Sequence, residues 1–185
     1  MINYINRGGI SIHPDFFGGD QFDSIKSDLL NLDYKKVHQP HDDYYGNRLQ
    51  AYPCYEADYN KENDYVIEGI EDILKIKIIK FKALARKTLM SELQQSPQSF
   101  DKYGFVHKDC PDGEPALAGM MYFDQAFDGG TAFFANQMDK IPDIYISAYP
   151  NRLVLYHGNR FHAPAIDYTF KERLTLTFFC TFAHI

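Results

Sequence analysis

The hydrophobic and polar positions change their period about halfway along the chain. In the first half, apolar residues recur at helical spacing over residues 23–32, behind a possible cap at Asp23, and again over residues 65–76. The β-branched residues that follow predict a strand from about Ile76, although one long helix through this junction has a similar pattern. Residues 38–62 are polar, aromatic and rich in turn residues, which is typical of a long ordered loop or of short edge strands.

From Phe100 onward the pattern is that of short strands separated by turns. The predicted strands are Tyr103–Asp109, Ala116–Phe123, Thr131–Ala135, Ile144–Ser147, Leu153–Tyr156 and Leu174–Phe182. Turn residues stand between them at 111–115, 127–130, 149–151 and 157–159. Strands at this spacing favour a sandwich, a jelly roll or a barrel. The whole pattern predicts an α+β chain with helices mainly in the first half and a β core in the second. Its length predicts one domain spanning residues 1–185.

Composition and charge restrict the class of protein, its binding partners and its cellular compartment. The chain has 14 Tyr, 15 Phe and no Trp, and such aromatic content suits the half-buried surface of a sheet. A formal net charge of -6 argues against wide contact with nucleic-acid phosphates. Three cysteines without CxxC spacing indicate a reducing compartment. With no signal-like N-terminus and no long apolar run, we expect a soluble, cytoplasmic protein without membrane contact.

The segment FVHKDC, residues 105–110, carries the first chemical signal. His107 and Asp109 are two residues apart, so on a strand both side chains point to the same face. Tyr103 and Phe105 share that face if the strand is regular. A metal site needs a third ligand, and His162 has the best context because it follows a predicted strand and a turn. Two histidines and one carboxylate form the facial triad of non-haem iron(II) oxygenases, which leaves three metal positions open.

A possible anion-binding residue follows the third ligand. Arg173 begins a segment in which Arg173, Thr175 and Thr177 alternate with apolar residues. One face of this strand would line a pocket, and the other would pack against helices. The planar guanidinium of arginine suits a carboxylate because it donates two parallel hydrogen bonds. Arg152 and Arg160 are alternatives for this role.

In this order of residues the sequence resembles the iron(II)/2-oxoglutarate-dependent dioxygenases, and most closely their prolyl-hydroxylase-like branch. The resemblance rests on HKDCPDGEP, MMYFD, DGGTAFF, NRLVLYHGNRFHAP and the Arg-x-Thr pair at 173 and 175. It covers residues from about 100 to 185, and the first hundred residues show no comparable match. The resemblance implies a double-stranded β-helix (jelly-roll) core with the N-terminal helices packed on it.

The resemblance also implies roles for individual residues. His107, Asp109 and His162 would bind iron(II), and Arg173 would bind the 5-carboxylate of the co-substrate 2-oxoglutarate. Tyr122 would hydrogen-bond the same carboxylate, and Thr175 would be the small hydroxyl residue two positions after the arginine. The partners would be dioxygen and an organic substrate, either a small molecule such as an amino acid derivative or a peptide side chain. Halogenating relatives have Gly or Ala in place of the aspartate, so Asp109 implies hydroxylation or a related oxidation.

Several alternatives remain open at this point. A catalytically inactive jelly-roll module would keep the pocket as a scaffold, and a cupin-type metal enzyme would leave Arg173 without a role. His157 is the main rival of His162, with a turn position at the pocket rim as its simpler interpretation. His38, His41 and His184 are expected to be structural or solvated, and Gly129 and Gly130 to mark a tight turn or a bulge. Residues 41–65 would form either a lid or a solvated loop.

Overall fold

A computed structural model of the protein describes residues 1–37, 41–42, 48–49, 53–60, 63–95, 102–110, 116–124 and 127–184. The described helices are α1 (Ile2–Asn6), α2 (Gly19–Leu30), α3 (Asn63–Leu74) and α4 (Met90–Gln94). The described strands are β1 (Ile10–His13), β2 (Lys35–Val37), β3 (His41–Asp42), β4 (Arg48–Leu49), β5 (Cys54–Asp58), β6 (Ile76–Leu89), β7 (Ala116–Tyr122), β8 (Phe127–Phe133), β9 (Ile144–Ala148), β10 (Leu153–His157), β11 (His162–Pro164) and β12 (Glu172–His184). None of the helices in these ranges has the length and apolar character needed to cross a membrane.

The described strands form three antiparallel sheets. The larger sheet has seven strands in the order β1-β10-β7-β12-β6-β5-β2, and the smaller one has three in the order β11-β8-β9. A separate pair consists of β3 and β4. The longest ladder joins β12 to β6, from Glu172 opposite Leu89 to His184 opposite Ile76. This ladder ties the C-terminal strand to a strand from the first half of the chain.

The larger sheet packs against helices on one face. Leu174, Leu176 and Phe178 of β12 belong to the main hydrophobic cluster, together with Ile25 of α2 and Ile70 of α3. All five side chains are almost completely buried. The predicted alternation along β12 is therefore confirmed for its apolar face, which covers the N-terminal helices.

The other face of the larger sheet packs toward the smaller sheet. Met120 and Tyr156 of the larger sheet cluster with Phe133 and Ile146 of the smaller one. Two antiparallel sheets that share an inner core, with helices outside the larger sheet, form the predicted double-stranded β-helix core with N-terminal helices packed on it. The predicted fold class is thus confirmed.

The two predicted helices of the first half are present. Helix α2 buries Ile25 and Leu29, which are one turn apart, but it begins at Gly19 after an N-cap at Gly18. The cap predicted at Asp23 is wrong, because that residue lies inside the helix and no side chain caps the observed start.

The predicted junction between helix and strand is also confirmed. Helix α3 buries Val66, Ile70 and Leu74 at intervals of four residues. The next residue, Lys75, has a φ of 54°, in the left-handed region that ends a helix. Strand β6 then begins at Ile76, so the alternative of one long helix is excluded.

The division into a helical first half and a β second half is incomplete. Strands β1, β2, β5 and β6 come from the first half and make up four of the seven strands of the larger sheet. Strand β5 lies within the segment 38–62 that was expected to hold a loop or edge strands, yet it pairs on both sides, with β6 and β2. The rest of that segment, apart from β3 and β4 and residues next to β5, lies outside the described residues.

Two further predictions about β structure need correction. Residues Tyr103–Asp109 do not form a regular strand but make isolated bridges, at Tyr103 with Ala165 and at His107 with His162. Residues 127–130 are not a turn, because they lie in β8, where the register shifts between Phe127 and Gly130. The alternative of a bulge is confirmed there, and a side chain at Gly130 would collide with the backbone oxygen of Ile146 at 2.0 Å.

Candidate active site

Backbone pairing brings the three predicted metal ligands together. The amide of His107 donates to the carbonyl of His162 and the amide of His162 donates to the carbonyl of His107, both at 2.9 Å. This bridge places the two imidazole rings side by side, with centroids 4.4 Å apart. The amide of Asp109 donates to the carbonyl of Gly158, in the turn after β10, at 2.8 Å. The aspartate is therefore held against the segment that leads to His162.

The side chains of His107, Asp109 and His162 (the triad) converge on one point. Asp109 Oδ2 lies 3.4 Å from His162 Nε2, and Asp109 Oδ1 lies 3.7 Å from His107 Nε2. Divalent ions bind such nitrogen and oxygen atoms at about 2.0–2.2 Å, so neighbouring ligands at right angles around one ion are about 3 Å apart. The two distances from Asp109 exceed this spacing by less than about 1 Å, and the ligand atoms of all three residues lie within 4.8 Å of one another, so the triad could hold a divalent ion. It is the one group of three or more such residues found in the described part of the chain.

Hydrogen bonds orient both imidazoles in the same way. His107 Nδ1 lies 3.0 Å from the carbonyl oxygen of Phe105, and His162 Nδ1 lies 3.0 Å from that of Arg160. In the tautomer that satisfies these carbonyls, Nδ1 carries the proton and Nε2 presents a lone pair to the aspartate. Burial lowers the pKa of His107 to about 4, and the neighbouring His162 contributes to the shift in the same direction. At neutral pH His107 is thus uncharged, as a metal ligand must be.

Tyr156 is a site residue that the sequence did not reveal. Its hydroxyl donates to Asp109 Oδ2 at 2.8 Å and lies 3.3 Å from His162 Nε2. Burial, followed by the negative charge of Asp109, raises the pKa of Tyr156 well above its usual value, so the phenol keeps its proton. The available signal was a tyrosine at the end of a strand six residues before His162, since a buried tyrosine hydroxyl usually has a polar partner.

The predicted co-substrate residues lie on the inner face of the larger sheet. Arg173 is buried, with 6% of its surface exposed, and its guanidinium carbon lies 5.7 Å from the centre of the Tyr122 ring. Thr175 pairs directly with Tyr122 across β12 and β7. The hydroxyl of Tyr122 is 2.8 Å from the hydroxyl of Thr131, a residue of the smaller sheet that sequence reasoning missed.

One cavity of about 590 Å³ is lined both by the triad and by predicted co-substrate residues. The triad lines part of its wall, and Arg173 and Thr175 line another part, whereas Tyr122 does not line it. Phe105 also lines the cavity, as expected, whereas Tyr103 packs edge-on against Phe134 at a centroid distance of 5.5 Å. Tyr103 and Phe105 were expected to share a face only on a regular strand, and the segment is not one.

The alternative histidines do not join the triad. His157 ends β10 and is buried, and its Nδ1 accepts a hydrogen bond from the amide of Asn159 at 3.2 Å. His38 lies outside the described residues, and the side chains of His41 and His184 are likewise not described.

The alternative arginines are engaged elsewhere. Arg152 donates to the carbonyl of Ser147 at 2.8 Å. Arg160 donates to the carbonyl of Gly8, across the molecule. Neither lines the cavity that holds the triad, whereas Arg173 does.

Comparison with known proteins finds similar solved structures but no match by sequence. No family model matches the chain, and no curated protein sequence matches it either. Its structure is similar to that of a prolyl-4-hydroxylase from Pseudomonas putida, with a TM-score of 0.60 and 14% identity over 97% of this chain and 96% of that one. An oxidoreductase of the 2OG-Fe(II) oxygenase family from Burkholderia pseudomallei has a TM-score of 0.62 and 12% identity over 97% and 88% of the two chains.

A third similar structure is HygX from Streptomyces hygroscopicus with nickel and 2-oxoglutarate bound. Its TM-score is 0.59, with 11% identity over 97% of this chain and 85% of that one. The similarity thus covers nearly the whole chain, including the first hundred residues, for which the sequence showed no match. This chain therefore has the double-stranded β-helix fold of the iron(II)- and 2-oxoglutarate-dependent oxygenases.

Proposed function

We propose that the protein is a non-haem iron(II)- and 2-oxoglutarate-dependent dioxygenase. It would hydroxylate an unactivated C–H bond of a small molecule, such as an amino acid derivative, or of a peptide side chain. The observation that carries this proposal is the convergence of the triad and a buried arginine on one cavity of the shared fold.

The metal would be held by His107, Asp109 and His162. These three ligands occupy one face of an ion and leave three positions for other molecules. With iron(II) and 2-oxoglutarate bound, dioxygen would provide one oxygen atom to succinate and one to the substrate, so that C–H becomes C–OH and carbon dioxide leaves. Tyr156 would keep Asp109 aligned through its hydrogen bond, and the carbonyls behind both histidines would keep each Nε2 directed at the ion.

The co-substrate would be anchored by Arg173. This guanidinium is buried, and among the described residues its only hydrogen bond is a long one of 3.5 Å to the carbonyl of Ala165. A buried charge is costly unless a partner of opposite charge compensates it. The far carboxylate of 2-oxoglutarate supplies that charge and matches the two-pronged guanidinium. Thr175 lines the same part of the cavity, and Tyr122 would support the arginine from behind.

The buried arginine and the ordered imidazoles favour this proposal over its two alternatives. A cupin-type metal enzyme gives no role to a buried cation beside the metal site. An inactive binding module would need neither the ordered imidazoles nor the lone-pair geometry that they present. The nickel and 2-oxoglutarate in the similar structure of HygX are consistent with the same two ligands here.

The test uses the complete protein. Iron(II) and 2-oxoglutarate are added without oxygen, and the weak visible charge-transfer band of the metal-bound keto acid is measured. Oxygen is then admitted and succinate is quantified. We expect a saturable band followed by succinate formation. A protein that shows no band and no binding of 2-oxoglutarate is not a dioxygenase of this kind, whereas a band without succinate under any substrate would favour the inactive module.

A further inference from the structure

A second arginine reaches the same cavity from the neighbouring strand. Arg86 lies on β6, directly opposite Thr175 of β12 on one side and opposite Glu56 of β5 on the other. Arg86, Glu56 and Thr175 all line the cavity that holds the triad. Polar side chains therefore extend across the sheet from Thr175 to Arg86 and Glu56, which lie on strands from the first half of the chain.

Arg86 and Glu56 form an ion pair through one nitrogen of the guanidinium and one oxygen of the carboxylate. Arg86 Nε donates to Glu56 Oε1 at 2.7 Å, and the two side chains keep 32% and 27% of their surfaces exposed. Among the described residues, this is the only hydrogen bond of either side chain. Within the described part of the chain, the two terminal nitrogens of the guanidinium and the second oxygen of the carboxylate have no hydrogen-bond partner, and a bound molecule could pair with them.

The two arginines lie at different places on the inner face of the sheet. The guanidinium carbon of Arg173 lies 5.7 Å from the centre of the Tyr122 ring, and Tyr122 is opposite Thr175 on one side. Arg86 is opposite Thr175 on the other side and pairs with Glu56. Both arginines line the cavity that holds the triad.

The charges of the proposed metal and co-substrate site balance without Arg86 and Glu56, so this ion pair is left for the substrate. In the proposed function, the charges of a divalent ion, Asp109, the doubly negative 2-oxoglutarate and Arg173 sum to zero. Lys108 also lines the cavity, and its ammonium nitrogen lies 4.4 Å from the centre of the Phe161 ring. Arg86 and Glu56 add one positive and one negative charge, side by side on the open part of the wall. A molecule with one carboxylate and one ammonium group complements both, because arginine binds carboxylates in a two-pronged manner and glutamate accepts from ammonium.

We propose that Arg86 and Glu56 bind the carboxylate and the ammonium group of a free amino acid, which is the substrate that the enzyme oxidises. This assignment rests on the proposed function and selects the free amino acid over the peptide side chain. A residue inside a peptide has neither a free carboxylate nor a free ammonium group next to its Cα, so it would leave both partners unsatisfied. Held at these two groups, the amino acid would direct its side chain along the cavity toward the triad.

The test screens each of the twenty free L-amino acids and the N-acetyl amide of each. Oxygen-dependent succinate formation is measured with the complete, iron-loaded protein. We expect at least one free amino acid to stimulate succinate formation more than tenfold, and its N-acetyl amide to have little effect. No stimulation by any free amino acid, or equal stimulation by the capped form, would overturn the assignment. The charge-transfer band with 2-oxoglutarate is recorded in parallel, so that failure of the proposed function itself, with no band, is distinguished from failure of this inference.

Variants locate the two contacts. Arg86→Gln is expected to raise the KM for the active amino acid by about tenfold or more, in keeping with the loss of a charge-assisted hydrogen bond, while the affinity for 2-oxoglutarate changes less than about twofold. Arg86→Lys keeps the charge but not the planar guanidinium, and its KM is expected to lie between those of the unmodified protein and Arg86→Gln. This variant keeps the test valid if the glutamine variant does not fold. Glu56→Gln should weaken binding of the free amino acid but not of an N-acetylated form that retains its carboxylate.

A matched control comes from the same strand. Lys87 pairs with Glu172 at 3.1 Å, does not line the cavity, and is one residue from Arg86. Lys87→Gln removes a cation of β6 and is expected to leave the KM unchanged. An unchanged KM in Arg86→Gln, or an equal loss of 2-oxoglutarate affinity in that variant, would reject the assignment, and the second result would place Arg86 at the co-substrate instead.

Discussion

Replacing Tyr156 by phenylalanine isolates one hydrogen bond at the proposed metal site. The change removes the hydroxyl that donates to Asp109 Oδ2 at 2.8 Å and that lies 3.3 Å from His162 Nε2. The ring itself remains suited to its place, where it packs edge-on against Phe133 at a centroid distance of 5.1 Å. The variant therefore tests the hydroxyl rather than the packing of β10.

The size of the effect follows from burial and charge. Tyr156 is completely buried, and Asp109 is a carboxylate, so water does not readily replace the lost donor. Hydrogen bonds to charged groups contribute about 1.5–3 kcal/mol, and groups that orient metal ligands typically change metal affinity by about 10–100-fold. These two ranges agree, because a tenfold change in affinity corresponds to about 1.4 kcal/mol. We therefore expect Tyr156→Phe to weaken iron(II) binding by about 10–100-fold.

The assay is an anaerobic titration of the metal-free protein with iron(II), with heat as the signal. Tyr34→Phe is the matched control, because its hydroxyl donates to the carbonyl of Leu29 at 2.8 Å, on the helical side of the sheet. The control is expected to keep the iron affinity of the unmodified protein. Iron binding in Tyr156→Phe that is unchanged or tighter would refute the reasoning, since it would mean that the hydroxyl competes with the ion for Asp109 instead of aligning it.

Three further changes test other parts of the site and the fold. His162→Ala should abolish the charge-transfer band with iron(II) and 2-oxoglutarate, whereas His157→Ala should largely keep it; the reverse result would exchange the two histidines as ligands. Arg173→Gln should raise the 2-oxoglutarate concentration needed for half-saturation of the band by about 10–100-fold, because a charge-assisted two-pronged contact is lost, with iron binding retained; unchanged affinity would remove Arg173 from this role. Asp124→Asn should stabilise the protein at pH 7, because burial raises the pKa of this carboxyl from 3.8 to about 6 and its charge is therefore unfavourable in the folded state. The folded form holds this proton more tightly than the unfolded chain, so the unmodified protein gains stability from this group as the pH falls from about 6 to about 4. The full difference in unfolding free energy is about 3 kcal/mol, which partial exposure reduces to about 1–2 kcal/mol. Urea unfolding should show that Asp124→Asn is more stable than the unmodified protein at pH 7 and that this gain nearly disappears at pH 4. An equal gain at both pH values would contradict the charge argument.

The sequence predicted those features that depend on local spacing. The polar and apolar residues of β12 alternate with a period of two, and this alternation alone is enough to place Arg173 and Thr175 on the face opposite the helices. The same holds for α3, whose buried residues recur every four positions up to Lys75. The pairing of His107 with Asp109 was also visible, although the two side chains converge through a bend and a bridge rather than on a regular strand.

Features that depend on distant partners were not predictable in this way. Tyr156 binds Asp109 across 47 positions of sequence, and Arg86 binds Glu56 across 30. Every residue of β10 is buried, so its pattern does not show which face looks toward the triad. Strand β5 was expected only as one of two alternatives, a loop or a short edge strand. Because Glu56 faces a cavity, the strand does not show a simple alternation of apolar and polar residues.

The two halves of the chain contribute different parts of the site. The triad and Arg173 come from residues after 100, where the resemblance to the oxygenase family was found. Arg86 and Glu56 come from β6 and β5, which the β12–β6 ladder brings to the same inner face of the sheet. In the two proposals, the groups that would hold the metal and the co-substrate thus come from the second half of the chain, and those that would bind the substrate come from the first. Structural similarity over 97% of the chain at only 11–14% identity places residues 1–99 within the shared fold, although their sequence shows no match to the family.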